Sequence, residues 1–290
     1  MKSLRHWLNC AFFGMGVGIC GAHAADIAGD VQTGLNLNED GGYLEVGFTA
    51  GYINNPHETR QEQETNDAVV TVDGSLVYRK KGFFLEAVQG TQDGLNLGYT
   101  VFQNEKWSAD FLGLSVNRSY DYEADNEIEQ GDDEATRNSK LYERDTLYAG
   151  TGFRVTRYLQ NHVVQFRLVT DIFDNNGVTS SLRFGRGWQI RNWNLYGILG
   201  INYTSADTMN YWFGIEEQEA TNRYPAYKAD AGVSLSAQMG AVKPLTEKWL
   251  LRFYLGWIQY SDEAKDSPLV RDSDYTYTAF TINRVFSWGQ

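Results

Sequence analysis

Cysteine is almost missing from this chain: there are two among 290 residues, Cys10 and Cys20. Everything after Cys20 therefore lacks the means for a disulfide framework or a cysteine metal site. Proline is scarce, at 4 residues, so little interrupts extended ladders. Histidine is equally scarce, at 4, which removes the commonest general base and metal ligand from most of the sequence. Basic residues number 25 against 37 acidic ones, a formal charge of −12 that excludes nucleic acid as a partner. Beyond the N-terminus there is no helix-length apolar run, which excludes a helical membrane bundle.

What is present begins with an export signal. Lys2 and Arg5 precede an apolar stretch from Trp7 to Cys20, and Ala22-His23-Ala24 supplies a small-residue site, so residues 1–24 are expected to be cleaved after Ala24. That stretch is too short and too broken by glycine for a transmembrane helix. Cleavage removes both cysteines and leaves a formal charge of −14. Residues 25–40 show no clean spanning pattern and are expected to form a periplasmic arm, with Val31, Thr33, Leu35 and Leu37 as a short extra strand in the alternative.

From Gly42 onward the dominant pattern is alternation. Trp249, Leu251, Phe253, Leu255 and Trp257 form an apolar row interleaved with Arg252, Tyr254 and Gly256. Tyr227 to Met239 alternates in the same manner, with Lys228, Asp230 and Gln238 on the opposite face. A strand with one apolar and one polar face, ended by aromatic residues, suits a wall between lipid and a polar lumen. A mean hydropathy of −0.45 is compatible with this, because half of each barrel strand faces the lumen. A secreted all-β sandwich also alternates, but these rows are long and carry aromatic ends.

The reading is an all-β, antiparallel transmembrane β-barrel of the outer membrane, occupying residues 41–290 with about twelve strands. Expected strands include Trp107 to Asn117, Arg144 to Thr156, His162 to Phe173, Ala226 to Gly240 and Glu247 to Tyr260. Short turns at Arg79 to Gly82, Gln103 to Lys106, Arg157 to Asn161, Gln189 to Asn192 and Val242 to Thr246 sort to the periplasm. The long connections sort outward, including Arg118 to Glu143 and Ala206 to Pro225, with Gln89 to Asp93 and Asp174 to Asn176 as two short connections on the same side. Charge sorts with length, because the short turns are basic and the longest loop is acidic.

Three sets of segments, in this order, resemble motifs of the MipA/OmpV family: Tyr78-Arg-Lys-Lys-Gly-Phe-Phe-Leu85; Asn210-Tyr-Trp-Phe-Gly-Ile215 with Glu219-Ala220 and Tyr227-Lys-Ala229; and Asp266-Ser-Pro-Leu-Val270. Trp212 and Phe213 stand where the family usually has tyrosines. The resemblance implies an outer-membrane protein in contact with lipid and lipopolysaccharide. For the best-known member it implies a scaffold between a lytic transglycosylase and a murein synthase; other members resemble surface proteins linked to adhesion, osmotic response or drug sensitivity.

Candidate residues fall into three groups. Arg79, Lys80, Lys81, Arg157 and His162 mark the periplasmic end and are the first candidates for a protein contact there. The loop from Asp121 to Glu134, and Asn210, Tyr211 and Trp212, are candidates for the outer surface. Asp73, Glu86, Arg154, Arg167, Asp171, Arg183, Lys228, Asp230 and Arg252 are expected on the lumen face, where interspersed charges favour a pairing network and an occluded lumen. A small pore is the rival reading, since about twelve strands can enclose water. The acidic loop lacks calcium-loop spacing and reads as a solvated surface, with divalent bridging to lipopolysaccharide phosphates as the alternative. His57, beside Glu58, Glu62, Glu64 and Asp67, has no identified nucleophile, so no catalytic set is assigned. No cofactor is implied.

Overall fold

The computed structural model describes residues 40–54, 66–88, 94–122, 131, 133, 135–136, 144–160, 162–173 and 176–288. The expected signal, almost all of the expected arm, His57 and Glu134 lie outside these residues. Twelve antiparallel strands close into one barrel: β1 (Gly41–Asn54), β2 (Asn66–Lys80), β3 (Phe83–Ala87), β4 (Leu95–Gln103), β5 (Trp107–Tyr122), β6 (Arg144–Leu159), β7 (His162–Asp171), β8 (Val178–Ile190), β9 (Trp193–Thr204), β10 (Gly232–Thr246), β11 (Trp249–Gln259) and β12 (Asp274–Trp288). Each strand pairs with its sequence neighbour, and β12 pairs with β1, so the sheet has no open end. Closure satisfies the backbone within the wall, which hydrocarbon requires of a spanning sheet. Two short helices, α1 (Ala206–Phe213) and α2 (Asp262–Lys265), interrupt the last two long connections.

Alternation sets the two faces. On β11, Trp249, Phe253 and Trp257 are exposed on the outer wall, while Arg252, Tyr254 and Ile258 are buried in the lumen. Lumen-side aromatics are accommodated by glycines on adjacent strands: Tyr196 opposes Gly240 and Tyr277 opposes Gly256. A Cβ at Gly256 would lie 2.1 Å from the Tyr277 ring, so the ring occupies the space that any larger residue would need.

Three boundaries differ from the sequence reading by about five residues or more. β5 runs on to Tyr122, which puts the backbone of Asp121 in the ladder opposite Asp145 instead of in a loop. β10 begins at Gly232, not Ala226, and continues through Val242–Thr246, which had been expected to form a turn. Pro244 is tolerated there because the register shifts at Pro244/Thr246, a bulge at the strand end. Lys228 and Asp230 consequently leave the lumen wall: both are exposed residues of the segment that precedes β10.

Candidate functional site: a closed lumen and a basic rim

The barrel interior is built from side chains of inward parity that pair across strands. Arg154 of β6 donates to Glu86 of β3 at 2.9 Å, and its other guanidinium nitrogens reach Asp110 of β5 at 2.8 and 2.9 Å. Arg79 completes the cluster by pairing with Glu86, and Phe84 lies beneath both guanidinium groups, 5.3 Å from Arg79 and 5.0 Å from Arg154. Asp110 also accepts from Thr100 at 2.7 Å and Ser108 at 3.2 Å. A second pair joins Arg252 of β11 to Glu45 of β1, with Asn283 donating to the same carboxylate at 3.2 Å. Arg167 donates to Asn96 at 2.9 Å and also to Ser115. Buried charges of this kind are tolerable only when paired and hydrogen-bonded.

The lumen is also closed from the outer end. Met209, Trp212 and Phe213, spaced i, i+3 and i+4 on α1, bury their side chains against Tyr254, Ile258 and Tyr260 from one side of the barrel and Tyr148 from the other. Trp212 meets Tyr148 edge-on with ring centres 5.9 Å apart, and Tyr211 donates to the Leu147 carbonyl at 3.1 Å. The Asn210 amide clamps Ala229 from both sides, donating to its carbonyl at 2.7 Å and accepting from its N–H at 2.9 Å. Ile215 and Tyr227 exchange backbone hydrogen bonds, and Ser267 donates to the Phe213 carbonyl at 2.7 Å. The last two segment sets that resemble the MipA/OmpV motifs thus meet in space and fasten the plug.

This corrects the outer-surface reading of Asn210, Tyr211 and Trp212. Trp212 is buried and the other two are partly buried, because the helix turns its apolar stripe into the barrel mouth. Below it, Arg183 is buried and lines a cavity of about 20 Å³ with Arg167, Ser115 and Trp212. That volume is on the scale of one or two waters. Asp171 accepts backbone hydrogen bonds from Phe173 and Asn176 and so shapes the β7–β8 turn. Glu45, Asp110 and Asn96, all buried lumen groups, were not among the sequence candidates although their alternation parity is the inward one.

At the periplasmic end the connections are tight. Lys81 has φ 50° and Gly82 φ 86°, the left-handed pair of a two-residue hairpin turn, and Arg191 has φ 55° in another tight turn. Lys80, Lys81 and Arg191 are exposed. The Lys81 N–H donates to the Asp40 carboxylate at 2.7 Å. Arg79 departs from its expected place at this rim, because its parity is that of Ser75 and Val77 and it enters the lumen to pair with Glu86. His162 begins β7 as expected, whereas β6 runs on to Leu159, so Arg157 belongs to a strand and not to a turn; both lie on the outward face of the wall.

The sequence pattern of the family described as "MltA-interacting protein MipA" matches residues 46–286. Outer membrane protein Omp26La of Vibrio anguillarum is 23% identical over 206 residues, covering 69% of this chain and 74% of that protein. Outer membrane protein OmpV of Vibrio cholerae is 24% identical, covering 65% of this chain and 76% of that protein. Putative outer membrane protein YiaT of Escherichia coli K12 is 23% identical, covering 81% and 87% respectively.

Proposed function

This chain belongs to the MltA-interacting protein (MipA) family of outer-membrane barrels, and from that premise we propose that it is a scaffold. It tethers murein-remodelling enzymes, a lytic transglycosylase and a murein synthase, to the outer membrane through its periplasmic face. It does so as a binding protein and not as an enzyme. The observation that carries this reading is the contrast between a filled lumen and an ordered periplasmic end. Arg154, Arg183, Glu45 and Asn283 are each at most 2% exposed, whereas the side chains lining a water-filled pore would be open to a water-sized sphere. Solute passage therefore has less support than recognition by a face. On the periplasmic side, tight turns hold Lys80, Lys81 and Arg191 outward on a fixed frame, and a preorganised surface loses little entropy on binding.

Photo-crosslinking in intact cells tests the scaffold. Probes at Lys81 and Arg191 are expected to capture a murein hydrolase or synthase that a probe at the exposed outer residue Glu217 does not. If the periplasmic probes capture only the general barrel-assembly machinery, the scaffold reading fails.

A further inference from the structure

Arg157 and His162 share a face with Arg186. On β6, Arg154 and Thr156 point inward and are buried, so Arg157 points outward; on β7, Val163, Gln165 and Arg167 point inward, so His162 points outward. On β8, Ser181 and Arg183 are buried while Phe184, Arg186 and Trp188 are exposed on the outer wall. The registers bring the three bases together. His162 is directly opposite Arg186, and Arg157 is opposite Val164, one diagonal step from His162. Direct cross-strand neighbours have Cβ atoms about 5 Å apart and diagonal ones about 7–8 Å, so His162 stands between two arginines that flank β7 from the strands on either side.

Each of the three also lies against an aromatic ring. Arg157 is stacked over Trp107 at 4.5 Å, Arg186 over Trp188 at 5.1 Å, and the His162 ring is 5.3 Å from Phe184. Gly197 opposes Arg186 on β9 and adds no side chain, and the Trp188 ring lies over it, 3.7 Å from where a Cβ would stand. Elsewhere on the wall at this end, Lys243 lies over Trp193 and Arg284 beside Phe286, each without a second base opposite it.

Among the described residues, no ion pair involves Arg157, His162 or Arg186. Glu105 and Glu247, exposed in neighbouring turns, do not supply one. Adjacent like charges on a sheet repel unless a counter-ion is present. These groups occur at the periplasmic ends of their strands, among the tryptophans that mark the headgroup depth of a barrel. At that depth the available anion is a lipid phosphate.

We propose that Arg157, His162 and Arg186 form a binding site for the headgroup phosphate of an anionic phospholipid in the periplasmic leaflet. Two guanidinium forks offer the geometry that phosphate oxygens accept bidentately, and the tryptophan faces pack beside the glycerol and upper acyl carbons. A zwitterionic lipid fits less well, because its own cation would approach two arginines. The site faces lipid, so it is separate from the turns proposed above to meet protein.

Native mass spectrometry of the folded full-length barrel, titrated with phosphatidylglycerol and with phosphatidylcholine of the same acyl chains, tests this directly. The wild type is expected to retain one phosphatidylglycerol with about tenfold or greater preference over phosphatidylcholine. R157Q/R186Q is expected to abolish that preference, R186Q alone to reduce it, and K243Q, which removes a single cation from the same belt, to leave it unchanged. Mobility before and after heating confirms that each variant is folded, and R186Q alters an exposed side chain should the double variant not assemble. Equal binding of the two lipids by the wild type, or an undiminished preference in folded R186Q and R157Q/R186Q, would overturn the site.

Discussion

The two ends of the barrel are served by the same twelve strands yet finished in opposite ways. At the outer mouth, α1 and the segment before β10 turn inward, burying Met209, Trp212 and Phe213 and locking Asn210 to Ala229. At the periplasmic end, tight turns leave Lys80, Lys81 and Arg191 exposed. One end uses its connecting chain to fill space, the other to present charge. Substitution is expected to cost more at the filled end, where each side chain has several fixed neighbours, than at the charged end, where the groups are solvated.

The largest test of this contrast is beneath the plug. Arg154→Met leaves Glu86 and Asp110 buried without their shared cation, and breaking such a pair costs about 3–5 kcal/mol. The urea midpoint of the folded barrel should fall accordingly, and adding Asp110→Asn, which removes the unpaired carboxylate and keeps the Arg79–Glu86 pair, should recover most of the loss. Trp212→Ala comes next: truncating a buried aromatic costs about 3–5 kcal/mol, but here the loss acts on docking of α1. Hydrogen exchange should speed up in Ala206–Phe213 while the amides of β11 keep their protection. Equal loosening of both would show that the plug and wall form one unit.

A smaller effect is expected at high pH. Burial, then the carboxylates of Glu263, Asp266 and Asp230, hold the Tyr227 phenol above the ordinary tyrosine range, and its hydroxyl donates to the Glu263 carbonyl at 2.6 Å. Because the folded value is raised, its contribution to loop docking is complete below the unfolded tyrosine value near 10.0 and is lost as pH rises through the folded value. Local exchange around Tyr227 should therefore increase in alkali, and Tyr227→Phe should remove that pH dependence. Smallest of all, Lys80→Gln with Lys81→Gln should change stability by no more than about 0.5 kcal/mol in the same urea titration. A loss comparable to that of Trp212→Ala would erase the distinction between the ends.

Alternation made the wall legible from sequence, including Arg154, Arg167, Arg183 and Arg252 on the lumen side. The same parity points Glu45 and Asp110 inward, but each is one polar residue in a strand read mainly for its lipid row. The start of β10 was misplaced for a physical reason. Tyr227 and Ala229 belong to an extended, half-buried segment entering the barrel mouth, and such a segment alternates just as a wall strand does. The helix carried its own signal in the i, i+3, i+4 spacing of Met209, Trp212 and Phe213. Its short length and its position in a long connection made it resemble an exposed loop. Arg157 and His162 lie at the end of the barrel that carries the short turns, but the side of the wall on which they lie depends on register, which the turn lengths alone leave open.

Planar-bilayer conductance of the folded chain tests closure of the lumen most directly. No steady conductance is predicted for the wild type across the voltage range in which the bilayer is stable. A steady ionic conductance that changes when Arg167 or Arg252 is neutralised would contradict the account and make the protein a channel.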